Sequence, residues 1–407
     1  MSCAAIYDAK LGGVSFSLPK SMLLPDYAGG SIVNLTSSLA RHFGVAGSAA
    51  PLGQELPLDG IETVVLFIAD GLGQWQLEKH IADGDMPTIK GLLEQSQAST
   101  LTSVFPSTTM AAITGMHMAA TPAQTGWLGY HLWLEEVSAV VEMIAQVDIA
   151  TQTKLDKPDF LNTTEGIYAQ LERRGVQAFS VAPAQYRNTW LNEWYWAGGM
   201  QYGYMTTNTS ASIAQYALQL GGRKLIVVYW ADYDTICHKY GPSSEVASDE
   251  ASAVDHAISR LLKRISKNSK TAFILTADHG QTDLAEKRTV YLDQNAELMA
   301  ALESPPAGDR ICRTFRVRPE KLDRIREMLE MSAHTILAKD AWEAGLFGGL
   351  PAKPTFYNRV GNLIAMPRDA AQWLYTFPGK NQSRPHRGSH GSLSFNEMRV
   401  PFIFTRF

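Results

Sequence analysis

Long apolar runs, clustered basic residues and paired cysteines are all scarce in this sequence of 407 residues. No stretch reaches the roughly 18 uninterrupted apolar residues that a membrane-spanning helix requires, so we expect no membrane anchor. The opening segment, MSCAAIYDAKLGG, lacks a basic stretch followed by an apolar run and does not have the pattern of a signal peptide. Lys and Arg number 36 against 40 Asp and Glu, and this balance gives no sign of a nucleic-acid surface.

Cysteine usage indicates a reducing environment. Cys3, Cys237 and Cys312 are far apart and odd in number, which argues against a disulfide framework. We therefore expect a cytoplasmic protein. The remaining composition is ordinary for a globular protein, with 45% hydrophobic and 19% charged residues, and carries no signal for an oligomeric state. A small anionic substrate fits this composition, because the local charge of bound metal ions can outweigh a formal net charge of -4.

Short apolar, β-branched runs alternate with helical segments, which is typical of an α/β fold whose sheet is covered by helices on both faces. Strands are predicted at residues 64–68, 225–229 and 273–276. Apolar residues at helical spacing between the last two, from Val254 to Ile265, predict an amphipathic helix.

Each predicted strand leads directly into an acidic residue. Asp70 follows the first strand, Asp232 and Asp234 follow the second, and Asp278 follows the third. In open α/β sheets, ligands bind beyond the carboxyl ends of the strands. We therefore expect these carboxylates to lie together at one edge of the sheet.

Residues 286–375 interrupt this alternation. They contain a proline-rich break at 304–306, an amphipathic segment at 322–329 and a glycine-rich loop at 345–349. We interpret this stretch as a smaller α+β cap, inserted into a catalytic domain that is formed by residues 1–285 and 376–407.

Aspartates and histidines at characteristic spacings suggest metal ligands. The candidates are Asp70, Asp234, His238, Asp278, His279 and His390. Carboxylate oxygens and imidazole nitrogens together suit zinc, and also manganese. Each residue alone has a simpler explanation, since an Asp after a strand is often a helix cap and an isolated His is usually structural.

The segment from Phe105 to Ile113 places hydroxyl groups at an expected helix start. Backbone N–H groups and the helix dipole favour an anion there, so Thr108 or Thr109 could act as a nucleophile. Coordination to a metal ion would lower the pKa of such a hydroxyl. An ordinary Ser/Thr cap is the alternative, and the chemistry of the segment does not separate the two threonines.

Taken together, these segments resemble the type I phosphodiesterase/nucleotide pyrophosphatase branch of the alkaline phosphatase superfamily. The matching motifs occur in the order of that family over residues 60–405. They are Asp70-Gly71, Pro106 to Thr109, Asp234 to Pro242, Asp278-His279-Gly280 and Gly388 to Gly391.

The resemblance implies an alkaline phosphatase-like central sheet and two divalent metal ions, with zinc expected and manganese or iron as alternatives. It implies one ion held by Asp234, His238 and His390, and a second held by Asp70, Asp278, His279 and Thr109. It also selects Thr109 over Thr108, because the nucleophile of the family falls three residues after the proline. The implied reaction on a small phosphoester proceeds through a phosphothreonine, with retention at phosphorus.

Two positions depart from the better-known relatives. Nucleotide pyrophosphatases usually carry Asn where this chain has Ala112, and alkaline phosphatases place Arg where it has Met110. Loss of that cation favours diesters over monoesters, whose extra charge is harder to neutralise. Hydrolysis of phosphonates or monoesters, phosphomutase activity and a non-catalytic binding role remain alternatives on the same scaffold.

Several further residues have two interpretations. Cys237 could be a thiolate ligand but is expected to be a packing residue, and Asp232 could orient a ligand or belong to a turn. The aromatic segment 189–204 could stack on a nucleobase or aryl group, or could form core or a dimer surface. No motif surrounds three other histidines, which we expect to be structural: His117, His131 and His386.

Overall fold

The computed structural model describes residues 6–11, 14–156 and 164–407, so Cys3 lies outside the described residues. The strands are β1 (Ile6–Leu11), β2 (Val14–Pro19), β3 (Thr63–Ala69), β4 (Gln97–Thr102), β5 (His131–Leu134), β6 (Ala139–Glu142), β7 (Val147–Asp148), β8 (Gln177–Pro183), β9 (Met200–Tyr204), β10 (Lys224–Trp230), β11 (Thr271–Thr276), β12 (Thr282–Asp283), β13 (Thr289–Tyr291), β14 (Ala307–Asp309), β15 (Cys312–Phe315), β16 (Ala333–Leu337), β17 (Leu363–Pro367), β18 (Gln372–Leu374), β19 (Gly388–Ser389) and β20 (Arg399–Arg406).

The α-helices lie between these strands. They are α1 (Ile32–His42), α2 (Gln74–Asp83), α3 (Pro87–Leu93), α4 (Thr109–Met118), α5 (Pro122–Thr125), α6 (Ile167–Arg173), α7 (Trp190–Tyr195), α8 (Ser210–Gln219), α9 (Asp232–Tyr240), α10 (Glu245–Leu262), α11 (Ala296–Ala301), α12 (Leu322–Glu330), α13 (Ala338–Ala344), α14 (Thr355–Arg359) and α15 (Phe395–Met398).

A seven-stranded sheet in the order β4-β20-β11-β3-β10-β8-β9 forms the centre of the molecule. Strands β11, β3, β10, β8 and β9 run parallel, whereas β20 is antiparallel to both of its neighbours. The three strands predicted from sequence are β3, β10 and β11, and they lie side by side in this sheet. Their carboxyl ends therefore meet at one edge.

Both faces of the sheet are covered, because alternate strand residues point to opposite sides. Val64 and Leu66 of β3 pack into one core cluster, which includes side chains of α1, α4 and α6. Val65 and Phe67 pack into a second cluster with α2, α8, α9 and α10. Burial of one such aliphatic or aromatic side chain contributes about 1.5–3 kcal/mol. The predicted α/β architecture is confirmed.

The amphipathic helix predicted between β10 and β11 is α10, which begins earlier than its apolar pattern indicated. Ser244 caps it, and its side chain accepts a hydrogen bond from the Ala247 N–H at 3.2 Å. Its last residue is Leu262, and Ile265 is buried just beyond it. The start was missed because the first turns carry few apolar residues.

A smaller antiparallel sheet, β14-β15-β17-β16, lies within residues 286–375. It has its own apolar cluster, which includes Phe315, Ile325 and Trp373. Other side chains of the same stretch, such as Trp342 and Phe356, pack into the main core. The stretch therefore combines helices with antiparallel strands, and its separation as a cap stays a prediction.

Two further features bear on the expectations from composition. Across the described residues, no helix has the length and apolar character needed to cross a bilayer. Cys237 and Cys312 are both buried and carry free thiols.

Candidate metal centre and active site

The fold brings the predicted ligand residues together at the carboxyl edge of the central sheet. Asp70 directly follows β3, and Asp278 lies two residues after β11. Asp234 lies in the first turn of α9, which follows β10. Its position four residues before His238 places both side chains on one face of that helix.

One group of converging side chains contains Asp234, His238 and His390. His238 Nε2 lies 3.3 Å from Asp234 Oδ2 and 3.2 Å from His390 Nε2. His390 Nε2 lies 3.6 Å from Asp234 Oδ1. Three potential ligand atoms therefore surround one point.

Backbone carbonyls determine which nitrogen of each imidazole faces this point. His238 Nδ1 donates to Gly388 O at 2.9 Å, and His390 Nδ1 donates to Ser107 O at 3.0 Å. A carbonyl oxygen can only accept, so the ring proton belongs on Nδ1 and the lone pair of Nε2 points inward. Two such lone pairs only 3.2 Å apart repel each other, and a shared cation would convert that repulsion into attraction.

A second group lies beside it and involves Asp70, Asp278 and His279. His279 Nε2 is 3.6 Å from Asp70 Oδ1, 3.3 Å from Asp278 Oδ2 and 3.1 Å from Thr109 Oγ1. Asp70 Oδ1 and Asp278 Oδ2 are both buried without a hydrogen-bond partner. Buried carboxylate oxygens are costly unless paired or bound to a cation, so these residues fit a metal ion.

A three-residue grouping on this side consists of Asp70, Asp234 and His279, whose ligand atoms lie within 4.8 Å of one another. Asp234 thus lies between the two groups. Asp278 is outside this grouping, and its Oδ1 accepts hydrogen bonds from the N–H groups of Gly71 and His279, at 3.2 and 3.0 Å. The role of Asp278 as a ligand stays a prediction.

The carboxylates of the second group are strongly perturbed. Burial, followed by repulsion from Asp278 and Asp234, raises the pKa of Asp70 well above its ordinary value. Burial is also the main cause that raises the pKa of Asp278. A nearby divalent cation would favour the charged forms and reverse these shifts.

Thr108 and Thr109 face different surroundings. Thr109 is the first residue of α4, and its hydroxyl contacts His279 as described above. Thr108 is the N-cap, and its Oγ1 lies 3.5 Å from Asp309 Oδ1 at the end of β14. The hydroxyl that faces the candidate ligands is therefore that of Thr109.

Two glycines explain parts of the motifs. Gly71 has a φ of +74°, and a Cβ there would lie 3.1 Å from the Asp234 Cβ. A Cβ on Gly388 would lie 2.6 Å from the carbonyl oxygen of Cys237. Both positions therefore require glycine so that the backbone can approach α9 closely.

Sequence reasoning missed a buried carboxylate, Glu397, that connects three loops around the site. Its oxygens accept from Ser392 N at 2.6 Å, Ser392 Oγ at 2.7 Å, Ser394 Oγ at 2.5 Å and Thr282 Oγ1 at 3.0 Å. Ser107 Oγ also lies 3.3 Å from it. The signal Ser-x-Ser-x-x-Glu before the last strand resembles a capping pattern and gave no functional hint.

Two other residues that hold the candidate ligands were also missed. Tyr229 on β10 donates its hydroxyl to Asp70 Oδ2, and Gln281 donates its amide to Asp234 Oδ1. In the sequence, Tyr229 is simply one residue of an apolar strand, with nothing to indicate a contact with Asp70. Gln281 follows Asp278-His279-Gly280, but an amide beside a motif has no distinctive pattern.

A cleft of about 330 Å³ opens over Thr109. Side chains on its walls come from the ligand cluster and from the smaller sheet, including His390, Asp309, Arg310 and Arg313. A second, mostly apolar cavity of about 130 Å³ adjoins the other side of Thr109. The site therefore offers two different environments next to one hydroxyl.

The aromatic segment contributes to the second cavity and to the core. Tyr195 and Trp196 line that cavity and are almost completely buried. Trp194 stacks on Trp127, with ring centroids 5.4 Å apart, and on Trp190 at 5.9 Å. Packing thus accounts for most of these rings, and Tyr195 and Trp196 also reach the cavity beside Thr109.

The remaining candidates lie at the edge of the site or outside it. Cys237 packs in the core cluster rather than in either ligand group. His386 lines the main cleft, and its Nδ1 lies 3.2 Å from His238 Nδ1. His131 also lines that cleft, whereas His117 is buried against Tyr168 and lines the second cavity. Asp232 is the first residue of α9, where a carboxylate favours the helix dipole.

The fold is similar to those of solved ectonucleotide pyrophosphatase / phosphodiesterase and phosphonoacetate hydrolase structures. Over residues 64–393 the sequence matches the type I phosphodiesterase / nucleotide pyrophosphatase family. The chain therefore belongs to that family.

Individual relatives are distant. The murine ectonucleotide pyrophosphatase / phosphodiesterase 5 superposes with a TM-score of 0.62 at 15% identity, covering 84% of this chain and 87% of that one. Phosphonoacetate hydrolase from Sinorhizobium meliloti 1021, in complex with phosphonoacetate, gives a TM-score of 0.65 at 15% identity, over 85% and 90% of the two chains. At such identities these structures share the fold alone.

In sequence, the human ectonucleotide pyrophosphatase/phosphodiesterase family member 5 is 32% identical over 71 residues. That alignment covers 17% of this chain and 15% of the human protein. The similarity therefore spans only a small part of either protein.

Proposed function

We propose that the protein is a metal-dependent phosphodiesterase that uses Thr109 as its nucleophile on a small phosphoester. The observation that carries this proposal is the position of the Thr109 hydroxyl. It lies at the N-terminus of α4 and 3.1 Å from His279 Nε2, beside two groups of converging carboxylate and imidazole atoms. A hydroxyl in this setting has both activation and anion stabilisation within reach.

Two divalent ions would be held by the two groups of side chains. The proposed ligands are Asp234, His238 and His390 for one ion, and Asp70, Asp278, His279 and Thr109 for the other. Three His and three Asp favour zinc, with manganese as the alternative. When bound, the ions would lower the pKa of the hydroxyl and of water and neutralise phosphoryl charge.

The chain supplies the nucleophile and the geometry of the reaction. Thr109 Oγ1, after loss of its proton to solvent, forms a bond to phosphorus while the bond to the leaving oxygen breaks. Water then attacks the phosphothreonine, the Oγ1–phosphorus bond breaks, and Oγ1 regains a proton. Free N–H groups at the start of α4 stabilise the phosphoryl oxygens. Two in-line displacements give net retention at phosphorus.

A diester is favoured over a monoester because Met110 follows the nucleophile and is buried beside it. A cation at that position would be needed to neutralise the second charge of a monoester. The apolar cavity next to Thr109 could accommodate an organic substituent of a diester. The murine relative is described as inactive when its threonine is replaced by alanine, in a complex with AMP, which supports a threonine nucleophile here.

Metal-reconstituted protein should be assayed on bis(4-nitrophenyl) phosphate and on 4-nitrophenyl phosphate. We expect a preference for the diester and a loss of at least about a thousandfold in kcat for Thr109→Ala. Thr108→Ala is the matched control, since its hydroxyl contacts Asp309, and it should retain most activity. A strong monoester preference would refute the diester assignment, and full activity of Thr109→Ala would refute the mechanism.

Phosphonate hydrolysis is the second candidate, supported by the match to phosphonoacetate hydrolase with a TM-score of 0.65. Release of inorganic phosphate from phosphonoacetate, compared with nitrophenol release from the diester, distinguishes the two activities.

We also propose a reducing compartment such as the cytoplasm, because Cys237 and Cys312 are buried free thiols.

A further inference from the structure

A hairpin of the smaller sheet reaches into the main cleft. Strands β14 and β15 pair antiparallel, with Asp309 opposite Cys312, so that Arg310 lies in the connecting turn. Asp309, Arg310 and Arg313 all line the cleft that contains Thr109. The hairpin therefore brings two guanidinium groups and one carboxylate to the active site.

The carboxylate of this hairpin lies beside Thr108, the residue that precedes the nucleophile. Asp309 Oδ1 is 3.5 Å from Thr108 Oγ1, and a Cβ on Gly391 would lie 2.9 Å from the Asp309 Cβ. Asp309 thus packs between the loop of Thr108 and the loop of His390. The adjacent Arg310 lines the same cleft.

Arg310 and Arg313 share one carboxylate neighbour, Asp309, which acts on both without forming a direct ion pair. Within the described parts of the chain, no Asp or Glu oxygen lies within 4.0 Å of the Arg310 or Arg313 guanidinium. Arg313 is buried and donates instead to the carbonyl oxygen of Trp373, at 2.9 and 2.7 Å. Arg310 donates through one terminal nitrogen to the carbonyl oxygen of Arg384 at 2.9 Å. Carbonyl oxygens satisfy these donors, and the single carboxylate of Asp309 offsets only part of the charge of the two guanidinium groups.

We infer that Arg310 binds a second anionic group of the substrate, either a carboxylate or a further phosphoryl group, beyond the reacting phosphorus. This inference rests on the proposed function, since it names the substrate class of the same site. The bond to Arg384 fixes the guanidinium and leaves its other donors for a bidentate contact with an anion. Arg313 adds a buried positive charge behind it.

Binding should be measured by calorimetry on metal-loaded Thr109→Ala protein, which tests the subsite without turnover. The probes are propylphosphonate, 3-phosphonopropanoate and ethylene-1,2-diphosphonate, which share a phosphonate and differ in the group at the far end. We expect the two probes with a second anionic group to bind more tightly than propylphosphonate, and Arg310→Gln to reduce that advantage about tenfold or more. Arg324→Gln is the matched control, because this exposed arginine pairs with Glu297 far from the cleft.

Turnover provides the second measurement. The substrates are two diesters, methyl 4-nitrophenyl phosphate and carboxymethyl 4-nitrophenyl phosphate, and the monoester 4-nitrophenyl phosphate. Arg310→Gln should lower the ratio of kcat/KM for the carboxymethyl over the methyl diester about tenfold, and Arg310→Lys should restore part of it. An equal loss of kcat/KM on all three substrates would indicate a structural role for Arg310 and overturn the inference. A selective loss on the monoester would place Arg310 on the reacting phosphoryl group and overturn it too.

Failure of the proposed function gives a different result. If the wild-type protein hydrolyses no diester, the phosphodiesterase proposal fails. The calorimetry still tests whether Arg310 binds a second anionic group. An unchanged advantage of the two probes with a second anionic group in Arg310→Gln would then refute the subsite, and its loss would support it. Thermal unfolding of each variant separates loss of binding from loss of the fold.

Discussion

Replacing Glu397 by Gln should weaken both the fold and the metal centre, because this buried carboxylate connects the loops that carry the candidate ligands. Its oxygens accept hydrogen bonds from Ser392, Ser394 and Thr282. Ser107, whose carbonyl oxygen accepts from His390 Nδ1, also contacts it. The substitution keeps the size of the side chain but removes its charge and turns one acceptor into a donor.

The size of the effect follows from the contacts of each oxygen. Oε1 accepts from three hydroxyl groups, and Oε2 from the Ser392 N–H and the Ser107 hydroxyl. Whichever oxygen becomes an NH₂ group then faces donors. A hydrogen bond to a charged group contributes about 1.5–3 kcal/mol, and an unsatisfied buried donor costs about as much. We therefore expect the free energy of unfolding to fall by about 2–4 kcal/mol.

Metal affinity should fall as well, because the backbone that orients His390 is no longer fixed. Loss of such an outer contact typically costs about 10–100-fold in metal affinity. Zinc affinity measured by competition with a chelating dye, and urea unfolding followed by circular dichroism, test both effects. Glu250→Gln is the control, since Glu250 accepts one hydrogen bond from Trp230 Nε1 at 2.7 Å, away from the candidate ligands. If Glu397→Gln behaves like this control in both assays, the proposed role of the loop network is wrong.

Two further predictions concern metal removal and pH. Dialysis against a chelator should abolish phosphodiesterase activity and lower Tm, and adding zinc should restore both. The reason is that an ion present at about 100 times its Kd stabilises the fold by about 2.7 kcal/mol. An unchanged Tm and unchanged activity would contradict the metal centre. Burial lowers the pKa of His117 from 6.5 to about 3, so its contribution to stability is complete above pH 6.5 and is lost as the pH falls towards 3. We expect His117→Gln to reduce the stability difference between pH 7.5 and pH 5 by about 2 kcal/mol in urea titrations, and an unchanged difference would show that His117 does not titrate in this way.

The central sheet could be predicted because its strands are buried on both faces. Residues 64–68, 225–229 and 273–276 are continuous apolar runs, and such runs occur where helices cover both sides of a parallel sheet. Each run ends at an acidic residue, which located the functional edge. The family order of the motifs then added Thr109 and His390, which no strand pattern could have connected.

Residues that orient the ligands could not be predicted, because their roles depend on contacts between distant segments. Glu397 meets Ser107, which is 290 positions earlier in the chain. Tyr229 occupies an ordinary position of a β-strand, and only the fold brings its hydroxyl to Asp70. The proposed role of Arg310 could not be predicted for the same reason, since the cleft that it lines forms between two sheets.

The position of Asp234 gives a physical reason why the two groups of ligands belong to one centre. Its Oδ2 lies 3.3 Å from His238 Nε2, and its Oδ1 lies 3.6 Å from His390 Nε2. It also belongs to the grouping with Asp70 and His279. Burial disfavours its charge, whereas attraction to His238 in its protonated form lowers the pKa of Asp234. A carboxylate that stays charged between both groups can stabilise cations on either side, which is what a pair of ions sharing one phosphoryl group requires.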